Sequence, residues 1–130
     1  MSNGTKKKIL IIDDERDFCR IVKMNLELTN NFQVTFATEG KQGLSLAKET
    51  KPDLILCDML MPGMNGSEVV EVLKKEQDTM AIPVVMLTAK GDEAFMAKVT
   101  LLCGGHYLIK PVDNKGLKAK IEEVLQQKRV

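Results

Sequence analysis

Five short apolar runs, each followed by a longer amphipathic stretch, set the limits on how this chain folds. The runs are Ile9–Ile12, Val34–Ala37, Leu54–Cys57, Val84–Leu87 and Tyr107–Ile109. Several are continuously apolar rather than alternating, the pattern of strands covered on both faces. Between them, apolar residues recur at helical spacing: Phe18, Ile21, Val22 and Leu26, then Leu44 and Ala47, then Val69, Val72 and Leu73. Phe95, Val99 and Leu102 continue the pattern, and Leu117, Ile121, Val124 and Leu125 give the clearest stripe. Asn65 followed by Glu68 has the form of a capping box, and Asp92 and Asn114 stand at N-cap positions. Five such βα units dictate an α/β fold, a doubly wound five-stranded parallel sheet with right-handed crossovers and helices on both faces.

A chain of 130 residues supports one core and not two. We expect residues 1–6 to form an N-terminal tail and residues 7–128 one domain, with no repeat, low-complexity tract or linker. The net charge of +1 supplies no field for nucleic acid or for a membrane surface, so direct binding to either is not expected. The run Lys6-Lys7-Lys8 reads as a solvated lead-in to the first strand. No apolar stretch has the length of a membrane span or of a signal-peptide core, which places the expected location in the cytoplasm. Cys19, Cys57 and Cys103 are odd in number and widely spaced, so they read as small buried apolar residues rather than as a disulfide framework. His106 is the sole histidine, which excludes a histidine-based metal site or triad.

In a doubly wound sheet, sites form outside the carboxyl ends of the strands. The first run ends in Asp13-Asp14, with Glu15 and Asp17 beyond, the third in Asp58, the fourth in Thr88-Ala89 and the fifth in Lys110-Pro111. The second ends in Thr38, which lacks an obvious reactive group. Singly, each has a structural explanation, since Asp after a strand is a common turn or cap residue. Together they bring three carboxylates, a hydroxyl and an ammonium to one rim. Two carboxylates about 4 Å apart repel by roughly 4 kcal/mol at an effective dielectric near 20. Three would hold one another partly protonated without a cation. All-oxygen ligands call for a hard ion, and Mg2+ is the natural candidate.

The blocks Ile11-Ile12-Asp13-Asp14-Glu15, Asp58 through Gly66, Leu87-Thr88-Ala89 and Tyr107-Leu108-Ile109-Lys110-Pro111 resemble, in order and spacing, the signatures of response-regulator receiver domains of two-component and phosphorelay signalling. The resemblance covers essentially the whole chain. It implies the flavodoxin-like strand order 2-1-3-4-5, as in the chemotaxis receiver that illustrates that order. It further implies that Asp58 is the nucleophile taking a phosphoryl group from a sensor histidine kinase or phosphotransfer protein. Asp14, Asp58 and the backbone carbonyl of Leu60 would bind Mg2+, with Asp13 acting through a water. Lys110 would pair with Asp58 and then with phosphoryl oxygens, and Thr88 would hydrogen-bond the phosphoryl group. Thr88 and Tyr107 would form the switch, Tyr107 turning inward as the strand-five face changes its affinity for a downstream protein. A phosphorylation-dependent dimer is a further expected response. Such a domain catalyses its own phosphorylation and slow dephosphorylation and is not a turnover enzyme. The Lys110-Pro111 bond is expected to be cis.

Some positions depart from the family pattern. Cys103 stands where glycine is usual and Gly104 where alanine is, and Leu60 and Lys90 occupy positions that tune phosphate lifetime. An apolar Leu60 is expected to hinder an attacking water. Three rivals share parts of this pattern. A flavin binder of the same architecture would need a glycine- and hydroxyl-rich loop after strand one, where this chain has acids. A phosphatase working through an aspartyl intermediate would carry a second aspartate where Leu60 stands. A receiver-fold binding module not regulated by phosphorylation would lack part of the acid pair, acceptor or lysine. No output segment follows the last helix, so output is expected by protein contact, or through an effector domain beyond Val130 in a larger regulator.

Overall fold

The apolar runs become strands whose side chains alternate between two helix-covered faces. The structure, a computed structural model, describes residues 6–89, 97, 100, 101 and 104–128. Its strands are β1 (Lys7–Ile12), β2 (Phe32–Ala37), β3 (Leu54–Asp58), β4 (Val84–Ala89) and β5 (Tyr107–Lys110). Its helices with described bounds are α1 (Arg16–Glu27), α2 (Gly40–Thr50), α3 (Gly66–Lys75) and α4 (Asn114–Lys128). All strand pairs are parallel, in the order β2-β1-β3-β4-β5, the order that the resemblance implies. Asp92, the stripe Phe95, Val99 and Leu102, and Lys90 and Cys103 lie outside the described residues. Among the described residues no helix is long and apolar enough to cross a membrane.

Strand periodicity divides the core in two. Ile9, Ile11, Val34, Leu54, Leu56, Val85 and Leu87 face Cys19, Val22 and Leu26 of α1 and Leu117, Ile121 and Val124 of α4. Leu10, Ile12, Ile55, Cys57, Val84 and Met86 face Ala47 of α2 and Val69, Val70 and Leu73 of α3. Each such Leu or Ile withdrawn from water contributes about 1.5–3 kcal/mol, so the two faces hold the helices to the sheet. On the second face α2 lies very close to β1. A Cβ on Gly43 would come within 2.6 Å of the Ile12 side chain, so only glycine fits there.

The helical stripes need two corrections. Ile21 is 57% exposed and does not belong to the α1 core face, whose buried residues are Cys19, Val22 and Leu26. Positions 19, 22 and 26 lie three and four apart, whereas residue 21 is a full 100° step from 22. Val70 takes the buried place in α3 expected of Val72, which is only half-buried. Cys19 and Cys57 are buried, as small apolar residues should be.

The caps follow the same local logic. Asn65 accepts from the Glu68 amide at 3.0 Å while its own amide donates to Glu68 Oε1 at 3.0 Å, the expected capping box. At α4 the cap lies one residue before the expected Asn114. Asp113 Oδ1 accepts from the Gly116 amide at 2.6 Å, and the Asp113 carbonyl accepts from Leu117 N. Asp and Asn are about equally good caps, so composition alone does not separate the two positions.

The β2 edge is closed by its own helix. Lys23 Nζ donates to the Val34 carbonyl and Glu27 Oε2 accepts from the Val34 amide, both at 2.9 Å, while Lys23 and Glu27 pair with each other.

Candidate acidic site at the strand ends

The register sets the site. Ile12 pairs with Cys57, Asp58 with Leu87, and Ala89 with Lys110, so the residues that follow or end β1, β3, β4 and β5 share one rim. Asp13 sits immediately past β1, tied down by its amide's bond to the Ala37 carbonyl, and is fully buried. Asp58 closes β3 at 7% exposure, and Asp14 is exposed. Oxygens of these three carboxylates all lie within 4.8 Å of one another.

The surroundings of Asp13 and Asp58 shift the chemistry of these two. Burial pushes Asp58 up to about 7, reinforced by the charges of Asp13 and Asp14 and opposed by Lys110. Burial also raises Asp13, although Lys110 and the Glu15 amide both donate to its carboxylate. Burial alone would depress Lys110, but its bonds to Asp13 and Glu15 outweigh that and hold it above the ordinary lysine range. Burial is the main cause of both rises, and a cation brought to the pocket would oppose each of them.

The donor chemistry fits a hard divalent cation. The converging ligand atoms are carboxylate oxygens, and the nearby Cys19 donates its thiol to the Asp13 carbonyl at 3.4 Å. Burial pushes that thiol up to about 12, so it stays protonated and offers no thiolate to a soft metal.

The remaining expected residues surround this pocket at different depths. Thr88 is buried on β4, one step beyond the partner of Asp58, and its hydroxyl donates to the Ala89 carbonyl at a long 3.4 Å. A bond of that length is weak and readily exchanged for a better one. Leu60 lies in the loop after β3 with its side chain exposed. Met59 and Met61 of the same loop are buried and Met64 is partly buried, all three packed in the α2–α3 core. The loop is tight because the Gly66 amide donates to the Met59 carbonyl at 2.8 Å. A Cβ on Gly66 would collide with the Asp58 backbone oxygen and approach Met59 Cα at 2.9 Å.

Tyr107 begins β5 opposite Met86 at 38% exposure, a half-open position. Gly104 and Gly105 both have positive φ, 73° and 81°, so the approach to β5 uses backbone that glycine alone adopts freely. The Lys110-Pro111 peptide is cis.

Lys110 has more partners than sequence reasoning assigns to it. Its Nζ lies 3.7 Å from Asp58 Oδ1 but 2.7 Å from Asp13 Oδ2 and 2.8 Å from Glu15 Oε1. It also stands 4.6 Å from the Phe18 ring centroid. Glu15 and Phe18 are the two site residues that sequence reasoning missed. Both were visible, Glu15 inside the first acidic block and Phe18 one turn further on, but linear order does not show that they reach β5.

Comparison with known proteins places this geometry. Residues 9–122 match the profile of the response regulator receiver domain. The chain is 36% identical over 123 residues to a probable transcriptional regulator ycf27 of Guillardia theta, covering 95% of this chain and 47% of that protein. It is 34% identical over 125 residues to the alkaline phosphatase synthesis transcriptional regulatory protein PhoP of Bacillus subtilis (strain 168), covering 95% and 50%. The chain therefore spans about half the length of the curated relatives it matches. Among solved structures, it is similar to a response regulator receiver domain protein from Clostridium thermocellum, with a TM-score of 0.83, 30% identity and coverage of 95% and 97%. A CheY-like receiver domain protein from Methanospirillum hungatei JF-1 superposes with a TM-score of 0.87 at 26% identity, covering 96% and 98%.

Proposed function

Because this chain belongs to the response-regulator receiver domain family, we propose that residues 7–128 form a phosphorylation-driven signalling switch with Asp58 as the acceptor. The observation that carries this reading is the convergence of Asp13, Asp14 and Asp58 within 4.8 Å, with Lys110 against two of them. The donor is a phosphohistidine on a sensor histidine kinase or phosphotransfer protein. An Asp58 oxygen attacks phosphorus, the phosphorus–nitrogen bond breaks, and the histidine leaves with the electron pair, giving an aspartyl phosphate. Transfer of this kind passes through a loose transition state, so alignment and charge neutralisation do most of the catalysis.

Asp14, Asp58 and the Leu60 carbonyl would hold Mg2+, with Asp13 acting through a water. When bound, the ion offsets the pocket's negative charge, which keeps Asp58 ionised and screens the phosphoryl oxygens. Phosphorylation replaces one carboxylate charge with about two. Lys110 then pairs with the new oxygens, and the Thr88 hydroxyl exchanges its weak bond to Ala89 for one to the phosphoryl group. Tyr107 turns inward as the loop after β4 moves, and the β5 face changes its affinity for a protein target or a second copy. Receivers are typically not turnover enzymes, and this one works in the cytoplasm without contacting nucleic acid or membrane itself. The half-length match to proteins named transcriptional regulators supports a second reading, in which the same switch works beside an effector domain.

Incubation with magnesium and acetyl phosphate tests the reading. Intact mass should rise by one phosphoryl group, and Asp58→Asn or chelation should prevent the rise. No gain in the wild-type chain sinks the proposal.

A further inference from the structure

Lys110 is held mainly from the α1 side of the pocket. Its bonds to Asp13 and Glu15, at 2.7 and 2.8 Å, are within charge-assisted hydrogen-bond range, whereas Asp58 at 3.7 Å is not. Phe18, in the first turn of α1, lies beneath the ammonium at 4.6 Å and adds a cation–π attraction on the same side. Glu15 occupies the N-cap position of α1, yet its side chain makes no capping bond. Its carboxylate is spent on β5 instead, and Lys110 in turn holds it below the usual carboxylate range.

We propose that Glu15 is a positioning residue that holds Lys110 off Asp58 until phosphoryl oxygens compete for the ammonium. The proposal rests on Asp58 being the acceptor. Bonds to Asp13 and Glu15 engage two of the ammonium's three donors, so movement of Lys110 towards the phosphoryl group works against its bond to Glu15, and Glu15 opposes phosphorylation through Lys110. Removing its charge could also help any anionic donor approach the pocket, but that steering effect needs no lysine. A double-mutant cycle separates the two.

Phosphorylation by acetyl phosphate at saturating magnesium is measured for wild type, Glu15→Gln, Lys110→Ala and the double variant. Glu15→Gln should raise the maximal rate about threefold, the size expected of a partly exposed ion pair, with the donor's half-saturation concentration unchanged. In the Lys110→Ala background the same change should have no effect. A second readout needs neither metal nor phosphodonor. In metal-free protein labelled with 15N-lysine, the Lys110 ammonium should be protected from exchange in wild type, lose part of that protection in Glu15→Gln while its bond to Asp13 remains, and regain some of it in Glu15→Asp. An equal acceleration with and without Lys110 assigns the effect to steering and overturns the proposal. So does unchanged ammonium protection in Glu15→Gln. Failure of wild type to take up phosphate removes the acceptor assignment instead, and the protection measurement then decides the Glu15 hold alone.

Discussion

β3 and β5 both deliver a residue to the acidic rim, but they are built differently. β3 lies between β1 and β4, every one of its five residues is buried, and it ends in Asp58. β5 is a four-residue edge strand paired only with β4, alternates between exposed and half-buried positions, and ends in Lys110. The proposed acceptor thus stands on the part of the sheet with the most packing, and Lys110 and Tyr107, the residues proposed to respond to it, stand on the part with the least. Precise placement is needed where a bond forms, and freedom to move where the change is transmitted.

The sharpest way to break this contrast is to empty the core under each strand. Leu56→Ala on β3 removes a fully buried side chain and should cost about 4 kcal/mol in urea unfolding. A loss near that of a surface site would show β3 to be less confining than it looks.

Next in size is an effect of pH. Asp58 moves from an ordinary 3.8 to about 7 on folding, so the folded chain binds its proton more tightly than the unfolded one. That contribution to stability is complete below pH 3.8 and disappears as pH rises to about 7. Without metal, Asp58→Asn should therefore be more stable than wild type by on the order of 3 kcal/mol at pH 8, and the gap should close by pH 3. Thermal melts at the two pH values measure it, and a gap independent of pH would contradict the buried, crowded carboxylate. Magnesium should raise the wild-type melting temperature at pH 8 and leave that of Asp58→Asn nearly unchanged.

Gly66→Ala presses a methyl group against the backbone around Asp58 and should cost about 2 kcal/mol, part of the overpacking being offset by better helix propensity. Its uptake of phosphate from acetyl phosphate should also slow. A shift in stability alone would mean that the β3–α3 loop tolerates displacement. Smallest is Ile109→Ala on β5, about half exposed, which should cost less than about 1 kcal/mol by chemical denaturation. A loss equal to that of Leu56→Ala would erase the contrast between the strands.

The same contrast governs what could be read from the sequence. β3 announces itself as Leu54-Ile55-Leu56-Cys57, an unbroken short apolar run of the kind a doubly covered strand carries. The alternation of runs and stripes yields the parallel sheet, while its strand order comes from the resemblance, because periodicity carries no information about which strands are neighbours. On α1, Ile21 outweighs Cys19 in hydrophobicity but points outward, since helix phase decides burial. The acids of the site were legible because they terminate strands, a position fixed by chain order. The Lys110–Glu15 bond was not, because it joins residues 95 apart through the direction of two long side chains. Spacing along the chain does not give that direction.

Closure of the β2 edge at Val34 has a bearing on how copies of this chain meet. A bare outer strand offers a row of amides and carbonyls to any extended segment that comes alongside. Here Lys23 and Glu27 already occupy the two such groups of Val34. Strand-by-strand growth of the sheet from that side is therefore blocked midway along the strand, without a proline or bulge having to distort it.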